Sequence, residues 1–259
     1  MFGIVGFVGT PGQSKPALGV VIDALRRMEY RGYDSAGIAL LDGSGGMAVE
    51  KKAGKLDNLV ATVESAGLEN YPATTGIGHT RWATHGRPTD INAHPHVDQL
   101  GKIAVVHNGI IENFAPLRAE LEAQGVEFTS ETDTETVTHL LHAEYYGEGP
   151  NAGNFTASVM AVINRLEGAF TLVIAHADHP DMLMACRRST PLVIGVGEHQ
   201  MFLGSDVAAF IEHTREAVEL GQDNVVTITA DGYTITDFEG NPVEGRPFTI
   251  DWDLEAAEK

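Results

Sequence analysis

Apolar residues gather in short runs along this chain, and their spacing predicts both strands and helices. Residues 3–9 are almost wholly apolar with glycine interruptions, which is typical of a buried strand. Residues 16–29 follow a turn and repeat apolar side chains at helical spacing, so we expect an amphipathic helix there. The expected buried stripe of this helix comprises Leu18, Val21, Ile22 and Leu25.

The rest of the chain continues with further strands and helices. The predicted strands are 38–41, 47–52, 75–80, 102–107, 169–175, 183–187, 192–196, 201–203, 225–229 and 234–238. The predicted helices are 113–124, 133–146 and 154–166. We expect the strands at 75–80 and 102–107 to end in polar turns that contain glycine. Helices that lie between two blocks of strands favour sheets covered by helices in one domain.

Charge and cysteine content narrow the class of protein. Acidic residues outnumber basic ones 36 to 17 in 259 residues, which gives a formal net charge of -19. This balance argues against a nucleic-acid or anionic-membrane partner, since both need clustered Lys and Arg. The single cysteine, Cys186, excludes an intrachain disulfide, and its apolar strand predicts a small core residue, although the neighbouring Arg residues would lower its pKa. No segment resembles a signal peptide or membrane span, so we expect a cytoplasmic location.

Histidines raise one alternative, a metal-dependent hydrolase. His94 and His96 flank a proline, and His79, His85 and His107 are near in sequence. Imidazoles and carboxylates bind zinc, but no recognised ligand spacing is present, so we predict ordinary hydrogen-bonded histidines and no metal or cofactor.

Three stretches concentrate polar and aromatic groups beside predicted strands, at 29–37, 78–86 and 107–113. Arg81 offers a planar fork that suits a carboxylate, and Asn108 followed by Gly109 suits an oxyanion hole. Asp133 would either cap the following helix or pair with an ammonium group. Together, Arg81 and Asp133 would recognise a free amino acid, and Trp82 would lie over it as a lid.

These stretches read YRGYDSAG, GHTRWATHG and HNGIIEN, and they resemble the class II glutamine amidotransferases, in particular the glucosamine-6-phosphate synthase branch. The likeness covers nearly the whole chain and extends to STPLVIG at 189–195 and GSD at 204–206. It implies an α+β fold, a four-layer αββα sandwich of the N-terminal-nucleophile hydrolase type. It also implies one glutaminase domain over residues 1–259, with L-glutamine or L-glutamate as the ligand.

The resemblance also implies roles for individual residues. Arg81 would bind the glutamine α-carboxylate and Asp133 its α-ammonium, while Asn108 and Gly109 would form the oxyanion hole. The loop that closes on glutamine would contain Trp82, Thr84 and His85. In the family, a cysteine attacks the glutamine carboxamide and its own α-amine, whose ordinary pKa is near ~8, is the base.

This chain departs from the family at the nucleophile position, where Phe2 stands in place of the cysteine of Met-Cys-Gly-Ile-Val-Gly. A phenyl ring can neither form a thioester nor accept a proton. A bulky second residue also opposes removal of Met1, which would keep the α-amine of Phe2 blocked. We therefore expect a glutaminase domain that does not hydrolyse glutamine, and a natural glutamine-binding or regulatory pseudoenzyme is the alternative.

Full-length synthases continue into two sugar-isomerase domains, and no part of this sequence resembles them. The end of the chain, at 251–259, resembles the approach to the linker before those domains. The resemblance therefore predicts a fragment whose partner is the sugar-isomerase part, with a stand-alone protein as the other possibility.

Overall fold

Two antiparallel sheets form the centre of the computed structural model, which describes residues 2–31, 34–82 and 87–251. The helices are α1 Ala17–Met28, α2 Leu56–Ser65, α3 Phe114–Ala123, α4 Thr134–Tyr146 and α5 Phe155–Ile163. The strands are β1 Gly3–Gly9, β2 Ser35–Leu41, β3 Met47–Ala53, β4 Thr75–Arg81, β5 His96–Val97, β6 Ile103–Ile111, β7 Gly168–His176, β8 Met182–Arg188, β9 Val193–Gly197, β10 Gln200–Gly204, β11 Glu216–Glu219, β12 Asn224–Thr229, β13 Gly232–Asp237 and β14 Arg246–Thr249.

The two sheets pack face to face with helices on their outer sides. The larger sheet has the order β14-β11-β9-β10-β1-β4-β2-β3, and the smaller has the order β13-β12-β8-β7-β6-β5. Helices α1 and α2 share a core with the larger sheet, whereas α3, α4 and α5 share one with the smaller sheet. A third core fills the space between the sheets. This is the predicted αββα sandwich, so the fold class is confirmed.

Strand β1 lies inside the larger sheet, which explains why its sequence is so apolar. It pairs with β10 on one side and β4 on the other, and all seven of its residues are buried. Ile4 and Val8 face the second sheet, while Val5 and Phe7 face the helices. Because both faces are covered, the alternation of polar and apolar residues that marks a half-exposed strand is absent here.

Two expectations about local structure were wrong. The buried stripe of α1 comprises Ala17, Val20, Val21, Ala24, Leu25 and Met28. Leu18 and Ile22 are only partly buried at its edge, because small alanines allow the helix to lie close to the sheet on a rotated face. Strand β6 also does not end at His107 but pairs with β7 as far as Ile111.

Helix α2 and strands β11 and β14 were not predicted. Helix α2 buries Leu56, Leu59 and Val63 at helical spacing but has no side-chain cap at its start. Strand β14 lies at a sheet edge, contains Pro247 and is exposed throughout, so it carries little hydrophobic signal.

The segment 87–97 packs against β2 and β3 of the larger sheet through its residues 91–94. Lys51 on β3 donates from Nζ to the carbonyl oxygens of Ile91 (3.1 Å) and Ala93 (3.0 Å). Gly37 on β2 lies directly beneath, where a Cβ atom would overlap the His94 carbonyl oxygen. The close approach of strand and segment therefore requires glycine at position 37.

This packing predicts opposite effects for two glycine-to-alanine changes. Gly37→Ala should lower the free energy of unfolding by ~1–3 kcal/mol, because a backbone carbonyl must move to admit the methyl group. Gly19→Ala, the matched control on the exposed side of α1, has open space around the new Cβ and should raise stability by ~0.5–1 kcal/mol. Urea unfolding of the two variants measures both values, and equal effects would contradict the packing described.

Candidate functional site

The strands β1, β4 and β6 carry apolar side chains on the faces that form the inter-sheet core. At one end of this core, the same faces carry polar and aromatic side chains instead. The last apolar side chains of these faces are Ile4, Ile77 and Val106. Successive side chains of a strand alternate between faces, so residues two positions apart share a face. The residues two positions beyond the apolar ones are Phe2, just before β1, His79 on β4 and Asn108 on β6. Arg81 follows His79 on the same face. The alternation thus brings residues from both sheets to one place.

The Asn108 side-chain amide bridges the two sheets at this place. Its Nδ2 donates to the backbone carbonyl oxygen of Phe2 (2.9 Å), and its Oδ1 lies 2.9 Å from Nε2 of His79. A carbonyl only accepts, so the amide nitrogen must face Phe2 and the oxygen must face His79. His79 therefore carries its proton on Nε2 and donates it to Asn108.

Two hydroxyl groups hold the backbone beside Phe2, and sequence reasoning did not identify them. Thr80 Oγ1 accepts from the Gly3 N–H (3.1 Å). Ser205 Oγ accepts from the Ile4 N–H (3.0 Å) and donates to the Phe2 carbonyl (3.1 Å). Both residues lie in motifs quoted above, but their contacts join positions distant in sequence, and local patterns carry no signal for such pairs.

Gly109 lies inside β6, opposite Phe170 of β7, and has a φ of +122°. A Cβ atom there would overlap the carbonyl oxygen of Ala169, so position 109 requires glycine for both its dihedral angle and its space. The predicted polar turn at Asn108-Gly109 is thus a distorted part of a continuous strand. The oxyanion-hole role of the two residues stays a prediction.

Arg81 is a buried cation at the end of β4, with 5% of its surface exposed. Burial lowers the pKa of its guanidinium, while the negative charges of Asp34 and Asp133 oppose that shift. Nη1 also lies 3.4 Å from the carbonyl oxygen of Arg87. A buried guanidinium beside two carboxylates keeps its charge, which a ligand carboxylate requires.

Asp133 precedes α4, and its carboxylate does not cap that helix. Oδ2 accepts from the Ile111 N–H (2.8 Å), and Oδ1 lies 3.6 Å from Nδ1 of His107 and 3.4 Å from the Thr134 hydroxyl. Of the two roles considered for Asp133, helix capping is not observed, because the carboxylate turns towards β6; pairing with an ammonium group stays a prediction. Burial would raise the pKa of Asp133, but these hydrogen bonds hold it below its usual value. Asp133 is an anion at neutral pH.

Stacked imidazoles lie behind Arg81 and Asp133. The ring centroids of His79 and His94 are 4.3 Å apart, and His94 meets His96 edge to face at 4.9 Å. Burial lowers the pKa of His79 to about 3 despite the hydrogen bond to Asn108, and it lowers the pKa values of His94 and His96 well below the usual range. These histidines are neutral hydrogen-bonding groups at neutral pH.

His94 and His96, the two histidines considered for metal binding, each use a ring nitrogen in a hydrogen bond within the protein. Nδ1 of His94 accepts from the His107 N–H (3.2 Å), and Nε2 of His96 lies 2.9 Å from the Thr132 hydroxyl. Among the described residues, no group of three or more His, Cys, Asp or Glu side chains is arranged to hold a metal ion.

Cys186 is fully buried in the core beneath α5, which agrees with its predicted core role. Burial raises the pKa of its thiol to about 12, and this effect exceeds the lowering by the positive charge of Arg188. No helix in the described ranges is long and apolar enough to cross a membrane.

Two cavities meet at Phe2. The first, which we call the Arg81 cavity, has a volume of about 90 Å³. Its lining residues are Phe2, His79, Arg81, Trp82, His94, His107, Gly109, Ile110, Ile111, Glu112, Phe114, Thr132 and Asp133. The second, the Thr190 cavity, has a volume of about 110 Å³ and is lined by Phe2, Asn108, Gly109, Thr190, Pro191 and Ser205.

Most of the predicted site residues are brought together in this region. Phe2, Arg81, Trp82, Gly109 and Asp133 line the Arg81 cavity, and the indole of Trp82 is 56% exposed at its rim. Asn108 borders the Thr190 cavity instead. The predicted loop residues Thr84 and His85 lie outside the described residues.

Comparison with known proteins gives a family for this arrangement. A family model described as a glutamine amidotransferase domain matches residues 79–212, which include Arg81, Asn108 and Asp133.

Curated relatives match over the full chain. A glutamine–fructose-6-phosphate aminotransferase (isomerizing) from Mycolicibacterium smegmatis is 65% identical over the whole chain, which covers 42% of that relative. The protein of the same name from Streptomyces coelicolor is 58% identical, again over the whole chain and 40% of the relative. The chain therefore spans about two fifths of the length of these relatives.

Solved structures share the fold. A glutamine phosphoribosylpyrophosphate amidotransferase from B. subtilis, complexed with ADP and GMP, aligns with a TM-score of 0.74 at 23% identity, covering 93% of this chain and 50% of that one. A glutamine aminotransferase class-II domain protein from Silicibacter pomeroyi aligns with a TM-score of 0.58 at 16% identity, covering 91% of this chain and 99% of that one. These likenesses confirm the fold alone.

Because His79, His94 and His96 stay neutral in the folded protein, we expect the free energy of unfolding to decrease in mild acid. Below the usual histidine pKa of ~6.5 the unfolded chain binds protons that the folded protein does not, so the free energy of unfolding falls as pH decreases. Each such histidine contributes a slope of up to ~1.4 kcal/mol per pH unit. His96→Gln should reduce the slope between pH 6 and pH 5 by about that amount.

Urea unfolding at several pH values measures this slope. An unchanged slope for His96→Gln would show that the folded protein protonates this imidazole.

Proposed function

Because this chain belongs to the glutamine amidotransferase domain family, we propose that it is the glutaminase part of a glucosamine-6-phosphate synthase whose nucleophile position is occupied by Phe2. In this role it binds the α-carboxylate and α-ammonium of L-glutamine but releases no ammonia. In the complete enzyme, a sugar-isomerase part would use the ammonia to convert fructose 6-phosphate to glucosamine 6-phosphate. The curated relatives support that assignment by the activity in their names.

The main support for this proposal is the position of Phe2 relative to its neighbours. Its backbone carbonyl accepts hydrogen bonds from both Asn108 and Ser205, and its side chain lines the cavity that contains Arg81 and Asp133. The residue at position 2 is thus anchored at the meeting point of the amino-acid-binding groups. Any side chain there would face a ligand held by Arg81 and Asp133.

A thiol at this position would support hydrolysis. Its sulfur would bond to the carboxamide carbon of glutamine, the thiol proton would pass through the α-amine to the leaving nitrogen, and the C–N bond would break to release ammonia. Water would then cleave the thioester to give glutamate and restore the thiol. Phe2 offers neither a nucleophilic lone pair nor a transferable proton, so the first step is unavailable.

A regulatory glutamine-binding protein is the second candidate. The retention of a charged Arg81 and an anionic Asp133 beside an unreactive position favours it, since these groups serve binding alone. The two candidates differ in whether a sugar-isomerase part accompanies this domain in the complete protein.

The first prediction from this proposal concerns ammonia release. The chain with Phe2 should release none from glutamine, whereas Phe2→Cys, with Met1 removed, should release it with a kcat in the ~1–10³ s⁻¹ range of ordinary enzymes. Phe2→Ala is the matched control, because it removes the ring without supplying a thiol and should remain inactive. Adding Asn108→Ala to Phe2→Cys should lower kcat ~10²–10³-fold, as loss of an oxyanion donor does.

A coupled ammonia assay with intact-mass measurement of Met1 tests all of these variants. Ammonia release by the Phe2 chain at the rate of Phe2→Cys would refute the proposed inactivity.

The second prediction concerns Arg81. Arg81→Lys should weaken binding of L-glutamine by ~10-fold or more, because an ammonium group cannot make the paired hydrogen bonds of a guanidinium to a carboxylate. Arg118→Lys on α3, where the side chain contacts Glu122, is the matched control and should leave binding unchanged. Calorimetric titration gives both affinities, and equal affinities for the two variants would remove Arg81 from the ligand site.

A further inference from the structure

Phe2 forms a common wall of the Arg81 cavity and the Thr190 cavity. The charged groups Arg81 and Asp133 lie on one side of this wall, and among the described residues Asn108 borders only the other side. The Phe2 ring therefore separates an amino acid held by Arg81 and Asp133 from the Asn108 amide. The side chain of that amino acid contacts the ring and does not reach the amide.

Each end of the Asn108 amide makes one hydrogen bond within the protein, which leaves one N–H and one oxygen lone pair for a ligand that reaches it. Nδ2 donates to the Phe2 carbonyl, and Oδ1 accepts from His79, each at 2.9 Å. A ligand carboxamide that stops at the Phe2 ring gains no hydrogen bond from this group.

Several other polar side chains of the Arg81 cavity are bonded within the protein, buried or exposed to water. Nδ1 of His94 accepts from the His107 N–H, and the Thr132 hydroxyl lies 2.9 Å from Nε2 of His96. Nδ1 of His79 and Nε2 of His107 are fully buried beneath the cavity surface. Glu112 is exposed, where water competes for its carboxylate.

The remaining lining is apolar and includes Phe2, Trp82, Ile110 and Phe114. Trp82 is 56% exposed and Ile110 is 54% exposed, although both are large apolar side chains next to a charged cleft. Contiguous exposed apolar surface of this kind is typical of a binding site for an apolar group.

We propose that the site binds α-amino acids with unbranched apolar side chains, of the methionine class, in preference to glutamine. This inference rests on the proposed recognition of α-carboxylate and α-ammonium by Arg81 and Asp133. The side chain of such a ligand lies against Phe2 and is covered by Trp82 and Ile110. Glutamine has the same length, but its carboxamide loses hydrogen bonds to water and the Phe2 ring keeps it from the Asn108 amide, which disfavours it ~10-fold or more.

Calorimetric titration of the full chain with L-methionine and L-glutamine tests the preference. L-Methionine should bind ~10-fold more tightly or better, and D-methionine, which cannot place both α-groups correctly, should bind far more weakly. Phe2→Leu keeps an apolar wall and should retain the preference. Phe2→Ala opens the way to Asn108 and should shift the affinity ratio towards glutamine by ~10-fold.

The outcomes separate this inference from the proposed function beneath it. If glutamine binds as tightly as methionine or more tightly, or if Phe2→Ala leaves the ratio unchanged, the apolar preference is wrong while amino-acid recognition stands. If neither amino acid binds, the recognition by Arg81 and Asp133 is wrong and the preference falls with it.

Discussion

The site depends on one bridging contact, the hydrogen bonds of the Asn108 amide. The amide lies on the smaller sheet and joins His79 on the larger sheet to the backbone carbonyl of Phe2. Its two ends have opposite hydrogen-bonding character, so the contact fixes the orientation of Asn108, the tautomer of His79 and the position of the chain beside β1 at once. The groups that line the cavities are arranged around this fixed point.

The same contact explains how Phe2 is held where the two cavities meet. Thr80, Asn108 and Ser205 all hold backbone atoms of residues 2–4, and those atoms are present whatever the side chain at position 2. Phe2 is therefore held in this position through its backbone. We infer that the Phe2 side chain determines both the reactivity of the site and the ligand that it prefers.

The sequence predicted most of the sandwich because buried strands and helices impose periodic apolar patterns, as in β1 and α4. It did not predict the edge strand β14, whose exposed residues need no such pattern. Arg81 and Asp133 were found by their chemistry, and Phe2 was found only by resemblance to a family motif. Thr80 and Ser205 were missed, and the contacts of Asp133 with β6 were not predicted, because contacts between distant strands leave no trace in local spacing.

The central claim is that Arg81 and Asp133 hold an amino acid beside Phe2 without any reaction. A crystal structure of the chain soaked with L-methionine tests it most directly. We expect the ligand α-carboxylate within hydrogen-bond distance of the Arg81 guanidinium, its α-ammonium beside Asp133, and its side chain against the Phe2 ring. A ligand bound elsewhere, or with its α-groups turned away from Arg81 and Asp133, would contradict this account of the site.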